Sequence, residues 1–252
     1  MAVIKAQAVG RDGFNTSTDL LIGLLRQYTQ FTTRPTEARF YTDADNETAF
    51  GGTGFKYVIK NGRLADVLAG TITSITVQVK GVETVAISDI GLSAARVFDF
   101  YKAGADVKEI EYLLGGADRI TGTKVGDYID GFRGNDTLNG GGGQDVLVGG
   151  QGDDVLTGGA GRDQFVFVGV ARKLGTDVIT DYHRSQGDTI DLSVFTMSFV
   201  GTDRFSGDHP ELRFHKTAGK TYVEADTDGD GVKDFTIVLK GSFALTAHDF
   251  LL

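Results

Sequence analysis

The sequence predicts a mainly β protein built on a parallel β-roll. Three observations carry that prediction. Between Gly131 and Val166 the chain repeats every nine residues, as GFRGNDTLN, GGGGQDVLV, GGQGDDVLT and GGAGRDQFV. Each unit has Gly at positions 1 and 4, Asp at position 6 and a large apolar residue at position 8. Beyond the repeats, short β-rich segments alternate with polar turns.

Residues 1–112 read as an α+β domain. Leu20, Leu21, Leu24, Leu25, Tyr28 and Phe31 fall at helical spacing, so a helix is expected over 18–31, with Ser17 or Thr18 as its cap. Strands with glycine-based turns are expected at 54–60, 71–80 and 83–87. Ser93 then caps an amphipathic helix over 94–103, ended by Gly104, and Asp106 to Glu109 opens a second one reaching Leu114. These two helices lead into the first repeat and are expected to cover the open end of the roll, because a repeat array needs a cap.

Residues 113–167 form the roll. Six residues of each unit, GGxGxD, turn the chain, and three, xUx, form a strand. The turn glycines are Gly131 and Gly134, then Gly140, Gly141 and Gly143, then Gly149, Gly150 and Gly152, then Gly158, Gly159 and Gly161. They allow backbone angles closed to other residues and let carbonyl oxygens converge. Asp136, Asp145, Asp154 and Asp163 complete an all-oxygen shell, which suits the hard cation Ca²⁺. Leu138, Leu147, Leu156 and Phe165 point inward. A flexible Gly/Asp linker would not place an apolar residue at position 8 of every unit.

Two weaker units come first. LLGGADRIT (113–121) keeps Asp118 and Ile120, and GTKVGDYID (122–130) keeps Asp127 and Ile129 but lacks Gly at position 4. Two units make one coil of a β-roll, so Asp residues eighteen apart should stack. One column is then Asp118, Asp136 and Asp154, and the other Asp127, Asp145 and Asp163, with several ions between successive loops. The weaker units should bind less tightly or act as a cap.

From the end of the roll into the cap, residues 168–252, the sequence reads as strands, at 164–168, 177–181, 212–215, 221–224 and 235–239. Asp226, Asp228 and Asp230 match the first half of an EF-hand loop, but Ile237 stands where that loop needs Glu. A polar hairpin turn and a bound ion are both open for this stretch. Asp181, Asp188 and Asp191 could close the last calcium sites or hydrogen-bond turns.

The repeats, with GGAGRDQFVF (158–167), DVITDYHRSQGDTIDLSVF (177–195), EADTDGDGVKDFTIVLKG (224–241) and LTAHDFLL (245–252), carry a family resemblance. Residues 113–252 resemble the repeats-in-toxin (RTX) proteins, most closely the C-terminal half of serralysin-type secreted metalloproteases. The resemblance implies a calcium-stapled roll followed by a β-sandwich-like cap. It also implies export by a type I ABC-transporter apparatus that reads an uncleaved signal near residues 245–252. It stops at residue 112.

Composition narrows the function. Net charge is −9, which argues for divalent cations and against nucleic acid as partners. Cys and Trp are absent, so thiol chemistry is excluded and large stacking platforms for sugars are missing. The start of the chain lacks the pattern of a cleaved secretory signal, and no stretch approaches the roughly twenty apolar residues of a membrane span. His183, His209, His215 and His248 all lie beyond the repeats, so the serralysin HExxH zinc motif is missing. Two expectations follow. The first is a secreted, non-catalytic, calcium-binding protein that contacts an extracellular glycan or protein at the cell surface, in the matrix or on a host. The second is a small secreted polysaccharide-active enzyme using carboxylates such as Asp12, Asp43, Asp45, Glu47, Asp66 and Glu83.

Overall fold

The computed structural model describes residues 115–252 throughout. Before them it describes the backbone of seven strands, with side chains only at 49–53, 71, 72 and 75. These strands are β1 (Val3–Ala6), β2 (Gln30–Arg34), β3 (Glu37–Asp43), β4 (Asn46–Lys60), β5 (Arg63–Val79), β6 (Val82–Ser88) and β7 (Leu92–Ser93). β2 to β6 form an antiparallel meander in chain order. The expected strands at 54–60, 71–80 and 83–87 overlap β4, β5 and β6.

The end of the expected helix over 18–31 is corrected. Gln30 and Phe31 begin β2 and pair with Tyr41 and Phe40 of β3. Thr32 and Thr33 follow, and β-branched residues beside an aromatic cross-strand pair favour a strand over a last helical turn. The rest of that helix, and the two expected helices over 94–103 and 106–114, lie outside the described residues.

The repeats fold into two stacks of parallel strands. One holds β8 (Arg119–Thr121), β10 (Thr137–Gly142) and β12 (Val155–Ala160); the other holds β9 (Tyr128–Asp130), β11 (Val146–Val148) and β13 (Gln164–Val166). Leu138 pairs with Leu156, and Leu147 with Phe165, so the eighteen-residue register holds. The parallel pairing then continues past the repeats. β14 (Thr176–Ile179) joins β12, and β15 (Thr189–Asp191) joins β13.

Five more strands make the C-terminal cap. β16 (Ser198–Gly201), β17 (Glu211–Thr217) and β18 (Lys220–Asp226) lead to β19 (Phe235–Lys240), which pairs in parallel with β14. β20 (Phe250–Leu251) pairs in parallel with β15. Both layers of the roll therefore run directly into the cap.

The core lies between the stacks. Ile120, Leu138, Leu156, Ile179 and Leu239 line one wall; Ile129, Leu147, Phe165, Ile190 and Phe250 line the other, all buried. Each buried side chain contributes about 1.5–3 kcal/mol, but a three-residue strand supplies only one. No coil has a core of its own.

Both ends of the roll are managed. β1 pairs in parallel with β8, matching Val3 to Arg119 and Ile4 to Ile120, so a strand extends one wall toward the N-terminus. At the other end, Asp249 is buried and accepts bonds from Arg184 Nε (2.7 Å), Tyr182 Oη (3.0 Å) and the Thr246 amide (2.7 Å). Against the burial that would raise it, Arg184 and these other donors hold the Asp249 carboxyl below its ordinary range. This cluster pins β20 to the roll. No helix among the described residues is long and apolar enough to cross a membrane.

Candidate metal centre

The position-6 aspartates form two ladders. The Asp118 amide donates to Asp136 Oδ1 (2.7 Å), Asp136 to Asp154 (2.7 Å) and Asp154 to Asp177 (2.8 Å). Opposite, Asp127 donates to Asp145 (2.8 Å), Asp145 to Asp163 (3.0 Å) and Asp163 to Asp188 (3.0 Å). Each carboxylate thus uses Oδ1 to hold the coil before it. The columns expected from the sequence are present, and each gains one member.

The second carboxylate oxygen defines the candidate site. Oδ2 of Asp136, Asp145, Asp154 and Asp163 is buried without a hydrogen-bond partner. An orphaned, charged oxygen in the interior costs at least about 1–3 kcal/mol. Its surroundings are rich in oxygen. A Cβ added to Gly131 would lie 2.5 Å from Asp136 Oδ2 and 2.6 Å from the carbonyl oxygen of Gly149 in the next coil. Gly140, Gly149 and Gly158 hold the same place against Asp145, Asp154 and Asp163. Glycine at position 1 is required by this approach, whereas at position 4 it is required by the backbone, as at Gly152 with φ 132°. Gly134, Gly141, Gly143, Gly150, Gly159 and Gly161 also have positive φ. Carboxylate oxygens meet carbonyl oxygens here, as at Gly131 and Gly140, and that donor chemistry fits Ca²⁺.

Electrostatics agree with a missing positive charge. Burial, only partly offset by the amide bond each accepts, pushes Asp136 up to about 8, Asp145 to about 7 and Asp154 to about 6. Burial also pushes Asp177 up to about 8 and raises Asp163 and Asp188.

The ends of the second ladder are satisfied by the protein itself. In the unit that lacks Gly at position 4, Asp127 Oδ2 accepts the Thr123 amide at 2.6 Å. Asp188 Oδ2 accepts the His183 amide at 2.7 Å. Asp181 accepts the amides of Gly158 (2.9 Å) and Gly159 (2.8 Å), capping the last glycine turn. Asp191 Oδ1 accepts the Ser193 amide at 2.9 Å, in a turn. Asp177 was not foreseen as a ladder residue. The available signal is the Asp-x-apolar triplet, kept in Asp177-Val178-Ile179 and Asp188-Thr189-Ile190, the first with Gly175 still two places before its Asp.

The EF-hand-like stretch is organised differently. One oxygen each from Asp226, Asp228 and Asp234 lies within 4.8 Å of the others. Asp230 is outside this group, with Oδ1 on the Val232 amide at 2.8 Å. Asp226 accepts the amides of Gly229 (2.7 Å) and Gly231 (2.8 Å). Arg172 donates to Asp228 at 2.6 Å and to Asp234 at 3.1 Å. The hairpin-turn alternative accounts for all these bonds, with Arg172 as the cation that the acids already hold.

Comparison with known proteins places the chain. No curated protein matches it. Among solved structures it is similar to two subunits of the AlgE6 mannuronan C5-epimerase of Azotobacter vinelandii. The R3 subunit is 31% identical over 54% of this chain and 78% of that one, with a TM-score of 0.41. The R2 subunit is 32% identical over 54% and 88%, with a TM-score of 0.43. The extracellular lipase LipA of Serratia marcescens is 16% identical over 95% of this chain and 32% of its own, with a TM-score of 0.35. The family model for the C-terminal region of M10 serralysin peptidases matches residues 119–252. RTX rolls of this kind bind Ca²⁺ in general, and proteins that carry them are typically secreted by type I systems. The chain belongs to the serralysin C-terminal family, an RTX-type β-roll family.

Proposed function

We propose that this chain is a secreted, non-catalytic protein whose roll folds on Ca²⁺ outside the cell and holds a binding domain in place. The observation that carries the reading is the set of buried, unpartnered Oδ2 atoms on Asp136, Asp145, Asp154 and Asp163. Calcium would be held by these aspartates with turn carbonyls, and it would supply the charge that the stacked carboxylates lack. Residues 1–112 are the binding domain, 113–167 the calcium-binding roll and 168–252 the cap. Extracellular calcium modules work at roughly 10⁻⁴–10⁻³ M, so the chain would stay unfolded in calcium-poor cytosol and fold after export.

The test of the site is a comparison of aspartates. Asp154→Ala removes an oxygen that supports the Asp136 amide and one that has no protein partner. It is expected to raise the calcium concentration at half-folding by about tenfold or more, the equivalent of roughly 1.4 kcal/mol. Asp127→Ala and Asp118→Ala, in the weaker units, should shift it less. Equal shifts at all three positions would remove the ranking and the assignment of ions to the middle coils.

Export is tested at the other end. Residues 245–252 would be recognised by a type I apparatus. Leu245, Asp249 and Phe250 are buried, so deleting the segment would also damage the fold; Leu251 and Leu252 are exposed. Replacing both leucines with serine should leave the calcium transition intact and retain the protein in the producing cell. Normal secretion of that variant would leave this segment a structural role alone.

A further inference from the structure

The outer face of the cap sheet differs from the acidic remainder of the chain. Leu212 and Phe214 of β17 are buried, so Arg213, His215 and Thr217 face outward. Across the sheet, His215 is paired with Tyr222, and Thr217 with Lys220. Lys220 in turn lies directly opposite Lys240 of β19.

Three features of this face point to a ligand. Lys220 and Lys240 are exposed like charges in directly opposed positions, an arrangement that destabilises a sheet. No carboxylate among the described residues forms an ion pair with either, although the chain's net charge is −9. Beside them, the rings of His215 and Tyr222 stack in parallel, with centroids 5.0 Å apart and planes 4° apart. The third feature is rigidity. Glu224, nearly buried, accepts Arg213 Nη2 at 2.7 Å and Lys233 Nζ at 2.8 Å, and the Arg213 guanidinium lies 4.5 Å from the Phe205 ring centroid. The platform is therefore held before any ligand arrives, which lowers the ordering cost of binding.

We propose that this face of β17–β19 docks an acidic polysaccharide whose sugar carboxylates meet Lys220 and Lys240. The inference deepens the reading of the chain as an extracellular binding protein and rests on it. Sugar C–H faces carry positive edges that suit the electron-rich face of an aromatic ring, here Tyr222 with His215. A uronate chain is sparsely charged and matches two free ammonium groups. Nucleic acid carries a charge about every 1.7 Å and would be repelled by the acidic remainder of the protein.

The experiment titrates the calcium-loaded full chain with a hyaluronan oligosaccharide, whose carboxylates are too sparse to gel with calcium. Calorimetry reads binding, and circular dichroism reads the calcium midpoint of every variant. The wild type should bind, and neutral cello-oligosaccharide should bind more weakly. Lys220→Glu with Lys240→Glu should weaken uronate binding by about tenfold or more at an unchanged calcium midpoint. Arginine at both positions should preserve it, and Tyr222→Ala should weaken both sugars. A chain with a normal calcium transition but no uronate binding, or with binding untouched by charge reversal, overturns the docking surface and leaves the calcium reading standing. Equal, Lys220-dependent binding of single-stranded DNA or phosphatidylserine vesicles overturns the polysaccharide as occupant. A chain without any calcium transition defeats the underlying reading instead.

Discussion

Chelating calcium is expected to unfold the roll while the chain remains intact. The reason is the balance within each coil. A strand of three residues buries one large side chain, worth about 1.5–3 kcal/mol, against a backbone ordering cost of about 1–2 kcal/mol per residue. Four buried Oδ2 atoms without partners add roughly 1–3 kcal/mol each to the metal-free side. Native domains have only about 5–15 kcal/mol in total, so the deficit decides the state of the chain. An ion that binds only the folded form reverses it by mass action. Far-ultraviolet circular dichroism should lose β signal in chelator and regain it cooperatively at roughly 10⁻⁴–10⁻³ M Ca²⁺. Mg²⁺ should do little, since it prefers a tight octahedron and keeps its water. Hydrogen exchange adds a local readout: the amides of Asp136, Asp145 and Asp154 sit on the ladders and should be protected only with calcium. A spectrum and protection pattern unchanged by chelator would overturn this account.

The repeats made most of this legible, because their period dictates both register and side-chain direction. Leu138 over Leu156 and Asp145 against Asp163 follow from a spacing of eighteen alone. What the period does not carry is its own interruption. Asp177 follows Asp154 by 23 residues and Asp188 follows Asp163 by 25, so the ladders continue while the count fails. The Asp-x-apolar triplet survives there because the strand still needs an inward residue two places after the ladder aspartate. Pairings between distant segments leave no local trace. Val238 against Val178, and Ile4 against Ile120, join strands far apart in the chain, and nothing in either strand names its partner. At 30–31, helical spacing of leucines ran on into residues whose cross-strand pairing with β3 prevails. The EF-hand-like aspartates illustrate a different limit, since Arg172, the cation they hold, lies more than fifty residues earlier.

Raising the pH from about 4 to about 8 is expected to remove what stability the metal-free roll has and to leave calcium as the route to the folded state. The sign follows from where protons are kept. An aspartate in the unfolded chain titrates near 3.9. In the folded chain burial moves Asp154 to about 6, Asp145 to about 7 and both Asp136 and Asp177 to about 8. Below about pH 4 both states are protonated and the shift costs nothing. Between about pH 4 and pH 8 the unfolded chain has released protons that the folded chain keeps, so stability falls as pH rises. Each pH unit across which one such group differs is worth about 1.4 kcal/mol. Calcium needs the ionised form, and between about pH 6 and pH 8 the unfolded chain already carries it, so folding on calcium should release few protons and its midpoint concentration should change little across this range. Calorimetry in two buffers of different ionisation enthalpy measures the protons released. The wild type and Asp136→Asn should release equally few. A calcium midpoint that falls steeply from about pH 6 to about pH 8, with a proton release that Asp136→Asn reduces, would mean that the roll is already folded, with its ladder carboxylates protonated, before the ion binds.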